Sequence, residues 1–147
     1  MMTLKISYQG EPGANSHIAC MQAHPSHEPF GCRTFEDAFQ AVETGTSDLA
    51  MIAIENTTAG RVADVHHLLP QSKLSIVGEH FLRIEFHLMA VPGVMLDEIK
   101  EVYSHVHALG QCRKFIKQHR LKPVVAADTA GAARELSESG NRSHGAI

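Results

Sequence analysis

The chain has 147 residues, of which 44% are hydrophobic and 20% are charged, and its formal net charge is −3. This length can bury one ordinary core or two small lobes. The charge shows no basic footprint for nucleic acid, no apolar run approaches a membrane span, and the first residues lack the apolar core of a secretory signal. Three cysteines without close pairing indicate free thiols and a reducing, cytoplasmic compartment.

The first part of the chain alternates strand-like and helix-like segments. Thr34 and Asp37 have the spacing of a capping box, and the amphipathic helix that they begin is expected to end at Gly45. The predicted elements are a strand at 4–8, helices at 16–23 and 34–44, a strand at 49–54, a helix from Thr58 to Pro70, and a strand at 74–77.

The second part begins with a change of pattern. Leu82, Ile84 and Phe86 alternate with charged residues, and this period of two predicts a strand with one packed face. The further predicted elements are a strand ending at 104, a helix at 107–120, a strand at 123–127, a helix between Asp128 and Gly140, and a strand beginning at 145. We therefore expect two α/β lobes, 1–78 and 79–147, and interpret the chain as a fragment that stops inside an element.

Four junctions place small polar residues after an apolar strand: Gln9–Ser16, Glu55–Thr58, Ser104–Gln111 and Asp128–Thr129. In open α/β sheets ligands bind beyond the carboxyl ends of strands, where helix N-termini attract anions. Simple helix capping is the competing explanation, and it is favoured for Asp128. For the segment IENTTAG the excess of polar groups favours a ligand site, whereas for Ser104 and Gln111 the two explanations are evenly balanced.

The eleven histidines do not predict a metal site. None of them has the helical HExxH spacing or a cysteine partner at zinc-site spacing, and adjacent histidines on a helix point in different directions. The glycines likewise fit neither a dinucleotide fingerprint nor a phosphate-binding loop. We therefore expect no metal and no nucleotide cofactor.

Four segments together resemble the catalytic domain of prephenate dehydratase, in the order and spacing of that family over about residues 5–147. They are YQGEPGANS, FEDAFQAVETGTSDLAMIAIENTTAGRV, SHVHALGQC and DTAGAARELSESG. The resemblance implies a two-lobed α/β fold of the periplasmic-binding-protein-like type II, with the ligand cleft between the lobes and the second lobe incomplete. It also implies conversion of prephenate to phenylpyruvate, with loss of CO2 and water, in L-phenylalanine biosynthesis without metal or organic cofactor.

The same resemblance implies the residues of the site. The implied catalytic residues are Glu55, Asn56, Ser104 and Gln111, and the implied substrate contacts are Ala14, Ser16, Thr57 and Thr129. Hydroxyl and amide donors and helix N-termini suit a dianionic substrate whose ring hydroxyl must be polarised as it leaves. We expect Asn56, Ser104 and Gln111 to position and polarise the substrate, and Glu55 to organise backbone amides rather than to donate a proton.

Several departures from the family pattern limit the prediction. The Thr-Arg-Phe motif of the family and its phenylalanine-binding ACT domain do not occur in the chain, Asn15 replaces a frequent aromatic residue, and Val106 replaces the usual proline. An arogenate dehydratase remains an alternative, as does a non-catalytic module that binds small anions. A module of that kind would need a cationic clamp, for which Arg83 is the nearest candidate. The family also implies a homo-oligomer for the full-length protein, with no nucleic-acid or membrane partner.

Overall fold

The computed structural model of the protein describes residues 3–57 and 59–147. The chain divides into two compact units, unit 1 ending at Ile84 and unit 2 spanning Glu85–Ile147. Among the described residues, no helix combines the length and the apolar character that crossing a membrane requires.

Unit 1 is built on a parallel three-stranded sheet. Its elements are β1 (Lys5–Gln9), α1 (Asn15–Ala23), β2 (Glu28–Cys32), α2 (Phe35–Glu43), β3 (Leu49–Met51), β4 (Glu55–Asn56), β5 (Gly60–Arg61) and α3 (Ala63–Leu68), followed by a 3₁₀ turn, Leu69–Gln71. The strand order is β2-β1-β3, so the first strand lies in the centre. Alternate residues of that strand, Ile6 and Tyr8, are buried with Cys20 of α1.

The start of α2 confirms the predicted capping box. The Thr34 hydroxyl accepts a hydrogen bond from the Asp37 backbone N–H at 3.1 Å, and the Asp37 carboxylate accepts one from the Thr34 N–H at 3.2 Å. Both otherwise unpaired donors are thus satisfied. Just past the end of the helix, Gly45 has φ +74°, the left-handed conformation typical of a glycine that follows a helix.

Unit 2 repeats this topology. Its elements are a 3₁₀ turn (Leu96–Glu98), β6 (Glu101–Ser104), α4 (Val106–Gln111), α5 (Arg113–Gln118), β7 (Lys122–Val125), α6 (Thr129–Ser139) and β8 (His144–Ala146). The strands are parallel in the order β7-β6-β8, again with the first strand in the centre. The main core cluster consists of Ile99, Val102, Leu109, Ile116, Leu121 and Ile147.

The prediction of strands at 74–77 and 82–90 was wrong. Apart from a single antiparallel bridge between Met89 and Ala146, neither segment pairs with another among the described residues. The burial pattern still alternates over 82–90, with Leu82, Ile84 and Phe86 half-buried between exposed neighbours. The sequence pattern therefore identified the two faces of an extended segment, but a strand also needs a hydrogen-bonding partner, which the pattern does not supply.

Two further differences concern element boundaries. The predicted helix 107–120 is divided at Cys112, whose φ of −93° and ψ of 6° depart from helical values. The sequence analysis also missed β2, because Pro29 and Gly31 interrupt its apolar pattern. Since β2 is an edge strand, it tolerates a proline there.

Candidate functional site

The residues Glu55–Asn56 and Gly60–Arg61 pair as a hairpin, where the sequence predicted a junction from strand to helix. Strand β3 ends at Met51, and Glu55 and Asn56 pair with Arg61 and Gly60 in antiparallel register. The Asn56 side-chain oxygen accepts a hydrogen bond from the Ala59 N–H at 2.9 Å. Part of the polar character of the segment therefore serves the turn.

The sequence predicted that a helix begins near Thr58, and this prediction was wrong for the residues that follow it. Gly60 and Arg61 form β5, and the helix begins only at Ala63, while Thr58 itself lies outside the described residues. Of the predicted site residues in the hairpin, Glu55 and Thr57 are exposed and Asn56 is half-buried. The side chains of all three stay candidates for ligand contact.

The turn from β1 to α1 carries two other predicted residues. Ala14 is the N-cap residue of α1, with φ −64° and ψ 159°, and Ser16 is the second helical residue. Both are half-buried. Since the first N–H groups of a helix have no acceptor within it, this turn presents backbone donors next to the Ser16 hydroxyl.

His17 also contacts this turn and was missed by the sequence analysis. Its Nδ1 accepts a hydrogen bond from the Gly13 N–H at 3.1 Å. The ring also packs against Tyr8, with 5.5 Å between ring centroids. The sequence offered no signal for this contact, because hydrophobic periodicity does not report bonds within a polar turn.

Parallel pairing brings the unit 1 candidates to one edge of the sheet. The β1–α1 turn follows the carboxyl end of β1, and the hairpin follows the carboxyl end of the neighbouring strand β3. Ligand sites of open parallel sheets lie at this edge. The structure thus places Ala14 and Ser16 on the same side of unit 1 as the β4–β5 hairpin.

Ser104 is the last residue of β6 and is fully buried. Its hydroxyl donates a hydrogen bond to the backbone carbonyl oxygen of Ile147 at 2.5 Å. Gln111 ends α4 and is half-buried. The Ser104 hydroxyl therefore has a structural hydrogen bond, so any contact with a ligand would have to share or replace it.

The β7–α6 junction confirms the expected cap. The Asp128 carboxylate accepts a hydrogen bond from the Gly131 N–H at 2.6 Å, and Thr129 is the first, half-buried residue of α6. Because β7 lies beside β6 in parallel register, Thr129 and Ser104 follow strand ends at the same edge of the unit 2 sheet. Ser104 and Thr129 are thus grouped at one edge of that sheet, and Gln111 lies one short helix further along the chain from Ser104.

The thiols of the protein are poor candidates for nucleophiles. Burial raises the pKa of Cys20 to about 11, and burial likewise raises the pKa of Cys32 and of Cys112. A thiol attacks as the thiolate, which a raised pKa disfavours at neutral pH. Across residues 3–57 and 59–147, no group of three or more His, Cys, Asp or Glu side chains is arranged to hold a metal ion.

Comparison with known protein sequences identifies one family. The sequence profile described as "Prephenate dehydratase" matches residues 6–147. A bifunctional N-acyl-homoserine lactone acylase/prephenate dehydratase of Komagataeibacter europaeus is 45% identical over 97% of the chain, which corresponds to 50% of that protein. The arogenate dehydratase/prephenate dehydratase 1 of Arabidopsis thaliana, named as chloroplastic, is 42% identical over 98% of the chain and 37% of its own length.

Solved structures give the same result for the fold. A structure described as a novel type of quorum quenching acylase is 45% identical, with a TM-score of 0.86 over 95% of this chain and 51% of that one. The prephenate dehydratase of Arthrobacter aurescens in complex with L-Phe is 28% identical, with a TM-score of 0.87 over 98% of this chain and 50% of that one. These matches confirm the predicted α/β fold class, which is periplasmic-binding-protein-like of type II. The chain spans about half the length of the proteins in these two structures.

The profile covers nearly the whole chain, and the matching segments include every candidate residue from Ala14 to Thr129. The four segments that carried the resemblance thus lie within one continuous match. On this evidence the chain belongs to the prephenate dehydratase family.

Proposed function

We propose that this chain contributes to a prephenate dehydratase, a carbon–oxygen lyase that converts prephenate to phenylpyruvate with loss of CO2 and water. The observation that supports the proposal is the family match over residues 6–147. In this reaction the electrons of the breaking carbon–carbon bond form the new ring double bond as the ring hydroxyl leaves with a proton as water. The site must therefore bind two carboxylates and polarise one hydroxyl.

The candidate residues are suited to binding and orientation. The first turn of α1, beside Ala14 and including Ser16, would offer N–H groups to the substrate, and the first turn of α6, which begins at Thr129, would do the same. Asn56 and Gln111 would donate amide N–H groups to the substrate oxygens. Each of these neutral donors is held within its own unit, on a helix end or a hairpin, which limits its local reorganisation.

Glu55 would support the hairpin and would not contact the substrate directly. It lies opposite Arg61 in the β4–β5 hairpin, and its side chain is exposed. An anionic side chain placed against a dianionic substrate would oppose binding, whereas a carboxylate directed at Arg61 would hold the hairpin in register. Glu55 would thus organise the segment that carries Asn56 and Thr57.

Two other activities are favoured by particular relatives. The Arabidopsis thaliana relative is named for arogenate as well as prephenate, and the Komagataeibacter europaeus relative is named for an N-acyl-homoserine lactone acylase as well. The second of these is a different reaction, hydrolysis of an amide. The 45% identity makes it the second candidate function of this chain.

The test is calorimetric titration of the purified protein with prephenate, with arogenate and with an N-acyl-homoserine lactone, while the products are assayed in the same cell. Prephenate heat with phenylpyruvate formation is the expected result. Saturating prephenate heat without product would support substrate binding by these residues and leave turnover to the rest of a longer protein. A folded protein that releases homoserine lactone but gives no heat with prephenate would overturn the proposal in favour of the acylase.

A matched pair of glutamine substitutions tests whether Gln111 takes part in prephenate binding. Gln111→Ala is expected to weaken prephenate binding about tenfold, the effect of losing one hydrogen bond to a charged group. Gln118→Ala changes the same residue type at an exposed position in α5 and is expected to have no effect. Equal affinities for the two variants would remove Gln111 from the proposed site.

A further inference from the structure

The β1–α1 turn is fixed by three hydrogen bonds of different origin. The Gly10 N–H donates to the Cys32 carbonyl at 2.9 Å, and the Ala14 N–H donates to the Glu11 carbonyl at 3.1 Å. The third bond, from the Gly13 N–H, has a side chain as its acceptor, His17 Nδ1 at 3.1 Å. Gly13 has φ +92°, and because glycine adopts many backbone conformations with little strain, contacts of this kind are what select one conformation of the turn.

The turn also lies directly on strand β2. A Cβ atom at Gly31 would come within 3.0 Å of the Gly10 carbonyl oxygen and within 3.2 Å of the Tyr8 hydroxyl oxygen. Tyr8 is only 1% exposed, so it provides a rigid base beneath the turn. The turn is therefore held both by packing near Gly10 and by the hydrogen bond from Gly13 to His17.

The position of His17 links the turn to the helix that follows. The residue lies in the first turn of α1, one position after Ser16, and its ring packs against Tyr8 with 5.5 Å between ring centroids. An imidazole that accepts at Nδ1 is the neutral form that carries its proton on Nε2. One side chain thus contacts the buried core, the glycine turn and the helix start.

We infer that His17 is a positioning residue of the substrate site, which fixes the Gly13 peptide so that the first turn of α1 and its Ser16 hydroxyl face the ligand. This inference rests on the proposed function of the same turn. Substrate binding would then depend on the acceptor atom of His17, and the packing of its ring would not suffice. Loss of the Gly13 hydrogen bond would free the turn to sample other conformations, and binding would then have to restore the original one.

The test uses two substitutions that separate the acceptor from the ring. His17→Asn keeps an acceptor oxygen close to the place of Nδ1 but removes the ring, whereas His17→Phe keeps a ring against Tyr8 but removes the acceptor. Each variant is measured by thermal unfolding, by hydrogen exchange at the Gly13 amide, and by calorimetric titration with prephenate. We expect His17→Phe to bind prephenate about five- to tenfold more weakly and to exchange the Gly13 amide faster, while His17→Asn stays near the wild type in both.

The opposite pattern, wild-type binding by His17→Phe and weak binding by His17→Asn, would overturn the inference and assign His17 to packing alone. Equal binding by all three proteins would also overturn it. Absence of prephenate binding in the wild type, with Gly13 exchange still faster in His17→Phe, would overturn the proposed function and with it the role toward substrate. The exchange measurement thus separates failure of the inference from failure of the proposed function.

Discussion

Ser104 can be tested against an internal counterpart, Ser7. Both serines lie on the central strand of a parallel three-stranded sheet, and both are fully buried. The Ser7 hydroxyl donates to the carbonyl oxygens of Ala38 and Leu49 at 2.9 and 3.2 Å, and the Ser104 hydroxyl donates to that of Ile147 at 2.5 Å. Only Ser104 is among the candidate site residues named from the sequence, so Ser7→Ala is a control of matched burial.

The expected cost in stability follows from these bonds. Removing a buried hydroxyl costs about 1 kcal/mol when its carbonyl partner finds another donor, and up to about 3 kcal/mol when that carbonyl is left without one. Ser7→Ala and Ser104→Ala should therefore each lower the free energy of unfolding by about 1–3 kcal/mol, which urea denaturation measures. Prephenate affinity should fall about tenfold or more in Ser104→Ala and stay unchanged in Ser7→Ala.

Two outcomes of this comparison would refute a role of Ser104 in substrate binding. If both variants lose stability while prephenate affinity stays that of the wild type in both, then Ser104 is a structural residue only. If Ser7→Ala weakens binding as much as Ser104→Ala, then the effect on binding comes from general loosening of the fold. In both cases the reasoning that assigns the Ser104 hydroxyl to the substrate would be wrong.

Three further predictions concern the hairpin, a helix cap and a surface ion pair. Asn56→Ala should lower the melting temperature by about 3–6 °C, because the bond to Ala59 is lost. Asn56→Asp should keep the melting temperature but lose prephenate affinity in calorimetry. Unchanged affinity in Asn56→Asp would mean that Asn56 only stabilises the turn. Asp128→Ala should cost about 1 kcal/mol of unfolding free energy in urea denaturation, and Asp128→Asn should cost clearly less; equal midpoints for all three proteins would contradict the cap. Hydrogen bonds from Lys122 and Tyr103 lower the pKa of Glu101 below its ordinary value of 4.5, so its contribution to stability is present above that pH and is lost as the pH falls through the lowered value. Glu101→Gln should therefore flatten the acid side of a plot of unfolding free energy against pH, and an unchanged slope would refute this assignment.

Local signals in the sequence predicted helix ends well where a side chain or glycine caps the helix within a few residues of its end. Thr34 with Asp37, and Asp128 with Gly140, bound α2 and α6 because caps are made within a few residues of chain. The strand predicted at 82–90 was wrong for a different reason: a strand needs a hydrogen-bonding partner, and among the described residues this segment makes only the single bridge between Met89 and Ala146.

The candidate site shows the same limit. The carboxyl ends of neighbouring parallel strands could be expected to carry the polar residues, and the two sheets place them so. The hairpin at Asn56 and the bond from Gly13 to His17 could not be predicted, because hydrophobic periodicity carries no information on turns of three or four polar residues. His17 was thus missed although it lies next to the predicted Ser16.

The charge of the candidate residues leads to a last prediction, about salt. Seven of the eight are uncharged, and the eighth, Glu55, is an anion, so a dianionic ligand would be held by amides, hydroxyls and the N-termini of α1 and α6. Dipolar donors act at short range, whereas attraction to a clamp of lysine or arginine is screened by salt, over about 8 Å at physiological ionic strength. Prephenate affinity should therefore fall less than about threefold between 50 and 500 mM sodium chloride, measured by calorimetry at constant pH. A fall of more than tenfold would indicate a cationic clamp, and would favour the small-anion-binding module over a site built from neutral donors.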